Sequence, residues 1–174
     1  MFFVQMSGFP GSGKSTLSRQ IAKRNGAVIV DHDVVKSALL QSTEDFSMDA
    51  KLAGKVSYNI DWSLIELHLS QGQSVVFDSP CFYQEMVDRG IGLSRKYNVK
   101  YKYVECLLDD FEKVNNRLRN RETMVSQIRE VNSEEVFKQA VENSKKPSGY
   151  QWITVDTGRP LGSYIDEVVK YINE

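Results

Sequence analysis

Eight consecutive residues, Gly8-Phe9-Pro10-Gly11-Ser12-Gly13-Lys14-Ser15, set two glycines, a lysine and a hydroxyl at the spacing G-x-x-x-x-G-K-[ST]. Each residue type has a chemical reason to be there. Glycines let successive backbone N–H groups converge on phosphate oxygens without interference from Cβ. A helix opening near Lys14 adds the positive end of its dipole, Lys14 brings a mobile charge, and the Ser15 hydroxyl suits magnesium. Fewer than about one chain of this length in a hundred carries the pattern by chance, given average residue usage. Gly8, Gly11, Ser12, Gly13, Lys14, Ser15 and Thr16 are therefore the candidate phosphate-binding residues for a nucleoside triphosphate, with Ser15 a candidate magnesium ligand.

A second group of candidates is acidic. Asp31-His32-Asp33 follows the apolar run Val28-Ile29-Val30, and Asp78-Ser79 follows Val75-Val76-Phe77. A carboxylate at a strand end can accept the proton of an attacking hydroxyl or hold magnesium. Asp33 suits the first role, and Asp78 suits either metal or substrate. Each also has a plainer reading: Asp33 is a good N-cap for a helix Val34–Leu40, and Asp78 could be structural. His32 reads best as a packed or exposed loop histidine. Tyr58, Trp62 and Tyr83 are aromatic and could face a substrate or the core, with Tyr83, just after the third strand, the substrate-binding candidate.

Five short apolar segments must position these groups: Phe2–Met6, Ala27–Val30, Ser74–Phe77, Val99–Cys106 and Trp152–Val155. The two tightest are continuous rather than alternating, as strands buried on both faces are. Between them lie helical patterns: Lys14–Arg24; Met48–Ser70, capped by Ser47; a helix opened by Asp109 and Glu112 and running to about Arg119; Glu134–Asn143, capped by Ser133; and a last helix carrying Ile165, Val168, Val169 and Ile172. Strands alternating with helices predict an α/β fold around a parallel sheet, with ligands beyond the carboxyl ends of the strands. The phosphate loop, Asp31–Asp33 and Asp78 then share one rim. Thr43–Asp49 and Arg117–Val131 are polar and interrupt the rhythm.

At 174 residues the chain fits one domain, residues 1–174, with no linker or internal repeat. A net charge of −1, from 22 Lys+Arg against 23 Asp+Glu, provides no bulk attraction to nucleic acid or an anionic membrane, which disfavours both as partners. Cys81 and Cys106 are too few for a disulfide framework or a zinc site and predict part-buried thiols. The start Met-Phe-Phe-Val lacks the basic flank of a signal peptide and no apolar stretch has membrane-spanning length, so a cytoplasmic protein is expected.

These residues resemble the AAA-type P-loop kinases that phosphorylate hydroxyl groups, among them polynucleotide kinase, zeta toxin, chloramphenicol phosphotransferase and gluconate kinase, with adenylate kinase more distant. The resemblance covers nearly the whole chain. It implies a three-layer P-loop NTPase fold with a five-stranded parallel sheet in the order 2-3-1-4-5 and a lid. It further implies ATP and magnesium as cofactors and a small-molecule hydroxyl acceptor, with a polynucleotide 5′-hydroxyl kinase, a nucleotide kinase or a non-kinase ATP-binding regulatory switch as the alternatives. In polynucleotide kinase the catalytic aspartate is followed three residues on by an arginine; here Asp33 is followed by Lys36, which gives up bidentate recognition. Arg117-Leu118-Arg119-Asn120-Arg121 matches the Arg-Leu-x-x-Arg lid of such kinases. On that match Arg117 lies near the adenine and Arg121 reaches the phosphates, with Arg119 an alternative. Residues 117–131 would form the lid and residues 42–70 the acceptor-binding insert. Gly158 and Arg159, after the last strand, would pass the adenine ring. The Asn-Lys-x-Asp sequence by which GTPases read guanine is absent, which favours adenine. Lys14, Asp33, Arg117 and Arg121 are thus the expected catalytic set, and Asp33, Lys36, Asp78 and Tyr83 the expected acceptor contacts.

Overall fold

The structure is a computed structural model and describes residues 1–43 and 48–174. Five strands, β1 (Phe2–Ser7), β2 (Val28–Asp31), β3 (Val75–Asp78), β4 (Lys100–Leu107) and β5 (Trp152–Asp156), form one parallel sheet in the order β2-β3-β1-β4-β5. Every residue of β1 and β3 is buried, because helices cover both faces of the sheet.

The alternation within β1 divides the core. Phe2, Val4 and Met6 face Leu17 and Ile21 of α1 (Lys14–Asn25) and Ile165, Val168 and Ile172 of α7 (Ile165–Asn173). On the other face, Phe3 joins Trp62, Ile65 and Leu69 of α3 (Ala50–Ser70) and Met86 and Val87 of α4 (Gln84–Lys96). A fully buried side chain of this size contributes roughly 1.5–3 kcal/mol. Gln5 is polar within this core but fully satisfied. Its amide donates to Cys81 Sγ (3.0 Å) and the Met86 carbonyl (3.1 Å), and it accepts from Tyr101 Oη (2.8 Å). It thereby pins the turn after β3, where Cys81 holds a left-handed backbone with φ 54°.

A third cluster sits under the phosphate loop. Leu108, just after β4, packs with Val114 and Leu118 of α5 (Phe111–Asn120) and Phe137 of α6 (Glu134–Glu142), and the loop's own Phe9 meets Phe137 edge to face at 5.0 Å. Gly11 lies directly on this cluster, where a Cβ would approach Leu118 and Val114 at 3.2–3.3 Å. Gly8, at φ 137°, could carry no side chain at all, because a Cβ would collide with the Cys106 carbonyl.

The element boundaries correct several expectations. The helix after β2, α2 (His32–Ser42), begins two residues early and is capped by Asp31, whose carboxylate accepts from the N–H groups of Asp33 and Val34 at 3.0 and 3.3 Å. Asp33 is therefore not the cap; it lies in the first turn. Asp49 caps α3 from both Lys51 and Leu52, in place of Ser47, which lies outside the described residues. Asp110 rather than Asp109 caps α5. Ser133 caps α6 as expected. The helix α4 was not anticipated: Gly90 and Gly92 interrupt its pattern, yet Gly90 is where the helix closes on Gln5 and Phe3 with no room for a Cβ. Cys81 and Cys106 are wholly rather than partly buried, and both thiols are pushed up to about 12 by burial. Among the described residues no helix is long and apolar enough to cross a membrane.

Candidate active site

The phosphate loop leaves β1 and enters α1 through Gly13, which has φ 87° and provides no side-chain cap. The first turn of α1 therefore opens toward the loop with uncapped N–H groups, the arrangement that favours an anion. Lys14 is not the solvent-facing lysine that a loop position suggests. It is 8% exposed, and its ammonium folds back to donate to the carbonyls of Gly8 (2.9 Å) and Phe9 (3.1 Å). Burial pulls its pKa down, and the nearby Asp78 carboxylate opposes that pull. Ser12 Oγ is buried without a hydrogen-bond partner, an orphan a phosphate oxygen would satisfy. Ser15 is half-buried and Thr16 exposed.

Asp78 ends β3 and accepts from Ser18 Oγ at 3.1 Å; the same hydroxyl lies 3.1 Å from the Ser15 carbonyl, so α1 and β3 meet at this carboxylate. Across the sheet Asp78 is registered against Asp31. The Asp31 carboxyl is pushed up to about 6, first by burial and then by Asp78, while its two backbone donors pull the other way. Three carboxylates, Asp31, Asp33 and Asp78, thus share the rim with the phosphate loop.

The segment after α5 reaches this rim from above. Arg117 donates to the Thr157 carbonyl (2.7 Å) and, more weakly, to the Gly11 carbonyl (3.4 Å), so it bridges the turn after β5 and the phosphate loop. Thr157 tightens the same junction by donating to the Ser12 carbonyl at 2.7 Å. Arg121 donates to the Ile128 carbonyl (2.9 Å), while its Nε is buried without a partner. Burial pulls the Arg121 pKa down and the Asp33 charge opposes that pull. Arg119 is exposed and faces Glu130 at 3.7 Å. Gly158 is fixed by a bond from its N–H to Asp156 Oδ1 (2.8 Å), and Arg159 is exposed. Lys36 is half-buried one turn beyond Asp33, whereas Tyr83 is 62% exposed where the chain enters α4.

His32 belongs to a buried cluster. Its Nδ1 lies 2.6 Å from Asp61 Oδ2, its ring stacks on Tyr58 at 3.9 Å, and Tyr58 Oη lies 3.4 Å from Ser79 Oγ. Tyr58 therefore lines the rim, while Trp62 joins the core. The spacing of 29 residues between His32 and Asp61 carries no sequence signal, and neither does the polar docking of Ser126 and Gln127 on Asp33. Among the described residues no group of three or more His, Cys, Asp or Glu could hold a metal ion. The donors present, one serine hydroxyl and Asp78, suit magnesium, which keeps its waters and takes the rest of its ligands from phosphates. A shallow pocket lies behind Gly8 and Phe9, lined also by Glu105, Cys106 and Val141, and none of the three rim carboxylates lines it.

This fold and loop define a class: the chain has the three-layer α/β fold of the P-loop kinases, with sheet order 2-3-1-4-5. A model of the AAA domain family matches residues 3–147, and the chain belongs to that family. Solved structures agree on the fold. A protein of Chloroflexus aurantiacus assigned provisionally as a kinase superposes with a TM-score of 0.74 at 17% identity, covering 97% of each chain. A sugar kinase of Janibacter sp. HTCC2649 gives 0.68 at 15% identity over 99% of this chain and 94% of its own. The Mycobacterium tuberculosis APS kinase, in complex with AMPPNP and APS, gives 0.61 at 15% identity over 99% and 97%. No curated protein matches the sequence significantly.

Proposed function

We propose that this chain is a cytoplasmic ATP-dependent phosphotransferase that phosphorylates a hydroxyl group of a small-molecule acceptor. The observation that carries the reading is the rim itself. Lys14, the orphaned Ser12 hydroxyl and the uncapped start of α1 face one side of it, and Asp33 stands on the other with Arg121 within electrostatic reach. Phosphoryl transfer needs little covalent chemistry from the protein and much positioning and charge neutralisation, which is what these groups supply. The solved kinases of similar fold lend support, as do the two reduced, buried thiols for a cytoplasmic setting.

In this reading the loop residues Gly8 to Thr16 hold the phosphates and Lys14 swings from its carbonyl partners onto them. Ser15 and Asp78 would hold magnesium, whose chemistry is to neutralise charge on the phosphate oxygens. Arg117, Gly158 and Arg159 border the adenine, and residues 117–131 act as the lid. Asp33 orients the acceptor hydroxyl and takes its proton as the acceptor oxygen bonds to the γ-phosphorus and the bond to ADP breaks. Lys36, Asp78, Tyr83 and the N-terminal half of α3, within residues 42–70, surround the acceptor. Acceptor chemistry favours uncharged hydroxyl compounds, since the rim carries three carboxylates and a lysine where polynucleotide kinase has an arginine.

The test is ADP release from magnesium ATP against a panel of sugars, polyols, nucleosides, nucleotides and oligonucleotides. Release that rises with one hydroxyl compound, with phosphate recovered on that compound, is expected. Asp33→Asn should then lose about 10²–10⁴-fold in turnover while AMP-PNP affinity is kept. Equal release with every compound, or transfer confined to oligonucleotide ends, would defeat the reading.

A further inference from the structure

The segment between α5 and α6 docks on α2 through side chains. Ser37 Oγ and Ser126 Oγ are 2.8 Å apart, the Ser126 N–H donates to Ser37 Oγ (3.2 Å), and Ser126 Oγ donates to the Asp33 carbonyl (3.1 Å). Beside them, Gln127 Nε2 donates to Asp33 Oδ2 at 2.7 Å. The glutamine is itself fixed: its N–H donates to the Met124 carbonyl (3.0 Å), and its Oε1 accepts from the Met124 N–H (3.2 Å). Arg121 closes the same turn through the Ile128 carbonyl.

An ionised carboxylate has about four acceptor positions. Gln127 occupies one on Oδ2, whereas Oδ1 has only a long approach, 3.5 Å, from Ser126 Oγ. A neutral amide also orients a carboxylate without cancelling its charge, as a lysine or arginine in that place would.

We infer that Gln127 is a positioning residue for Asp33, holding Oδ2 so that Oδ1 is presented to the acceptor hydroxyl. The inference rests on the role proposed for Asp33. It adds that the acceptor-side carboxylate is held by a residue of the same short segment that carries Arg121.

Gln127→Glu separates this role from packing. It keeps the size of the side chain and the oxygen that accepts from Met124, but turns a carboxylate on Asp33 in place of the donor. Ser126→Ala is the control, since it loosens the docking without removing the donor to Asp33 Oδ2. ADP release is measured with magnesium ATP, using the most active hydroxyl compound of the panel and also water alone, and AMP-PNP affinity by calorimetry. Gln127→Glu is expected to lose at least about tenfold in turnover with AMP-PNP affinity within about twofold of wild type, and Ser126→Ala to stay within about threefold on both. In the Asp33→Asn background, Gln127→Glu should cost nothing further. Unchanged or faster turnover in Gln127→Glu overturns the inference, because the glutamine would then merely cover Asp33. A matching loss of AMP-PNP affinity, or an additive loss in the double variant, overturns it too. A wild-type protein that releases no ADP defeats the kinase reading itself, which is a different result.

Discussion

Asp31 is placed where its charge opposes folding. It ends β2 half-buried and registered against Asp78, and its carboxyl is pushed from 3.8 up to about 6, mainly by burial. Two units at about 1.36 kcal/mol each give an upper bound of about 3 kcal/mol. Because the group is partly exposed and its repulsion from Asp78 is screened, about 1.5 kcal/mol is the working figure. The sign follows from which state releases its proton first. Below about pH 4 both folded and unfolded chains hold it. Between about 4 and 6 the unfolded chain releases it while the folded chain retains it, so rising pH destabilises the fold through this group. Above about 6 the deficit is constant. Asn is as good an N-cap as Asp, so Asp31→Asn keeps the bonds to Asp33 and Val34 while removing the charge. The variant should match wild type near pH 4 and exceed it by about 1.5 kcal/mol at pH 7, or roughly 3–6 °C in Tm for a chain of this size. Urea denaturation of both proteins at pH 4, 5, 6, 7 and 8 measures the difference directly. A difference that does not grow between pH 4 and 6, or a variant less stable than wild type at pH 8, would refute the argument that burial and Asp78 strain this carboxylate.

Three further variants probe the site. Lys14→Met keeps the buried stem but loses the ammonium that bonds Gly8 and Phe9, so AMP-PNP affinity should fall at least about 10²-fold in calorimetry while Tm drops by only a few degrees; retained affinity would mean the lysine does not reach the phosphates. His32→Ala strands the Asp61 carboxylate, already raised in pKa by burial with His32 opposing, and should cost about 3–5 kcal/mol in urea denaturation at pH 7. His32→Ala/Asp61→Asn should recover part of that loss, and a double variant no more stable than His32→Ala would show that the pair is not coupled.

Much of the fold was legible because its signals are local. Val28-Ile29-Val30 and Val75-Val76-Phe77 are continuous apolar runs since both faces of the sheet are covered, and β3 is buried throughout. The phosphate loop was legible for the same reason: its glycines, lysine and hydroxyl act within eight residues. What misled was local chemistry with two good answers. Asp33 is as good a cap as it is an acceptor contact on paper, and only the early entry of the chain into α2 makes Asp31 the cap. The helix α4 was hidden because Gly90 reads as a breaker, although it is there to let the helix approach Gln5.

The two sides of the rim differ in a way that explains what sequence could and could not reveal. The phosphate side is nearly contiguous, so its geometry is set by one turn and one helix start. The proposed acceptor side is assembled from β2, α3, β3 and the segment after α5, through bonds that span 29 residues from His32 to Asp61 and 94 from Asp33 to Gln127. No spacing rule links such positions; they meet because the sheet order brings β2 beside β3 and because α5, packed under the loop through Leu118 and Val114, delivers Arg121 and Gln127 over α2. It follows that substitutions in α5 can shift Asp33, the carboxylate proposed to face the acceptor. The same cluster carries Phe9 and Gly11, so such substitutions would also be felt by the phosphate loop and by Lys14, whose partners are the Gly8 and Phe9 carbonyls.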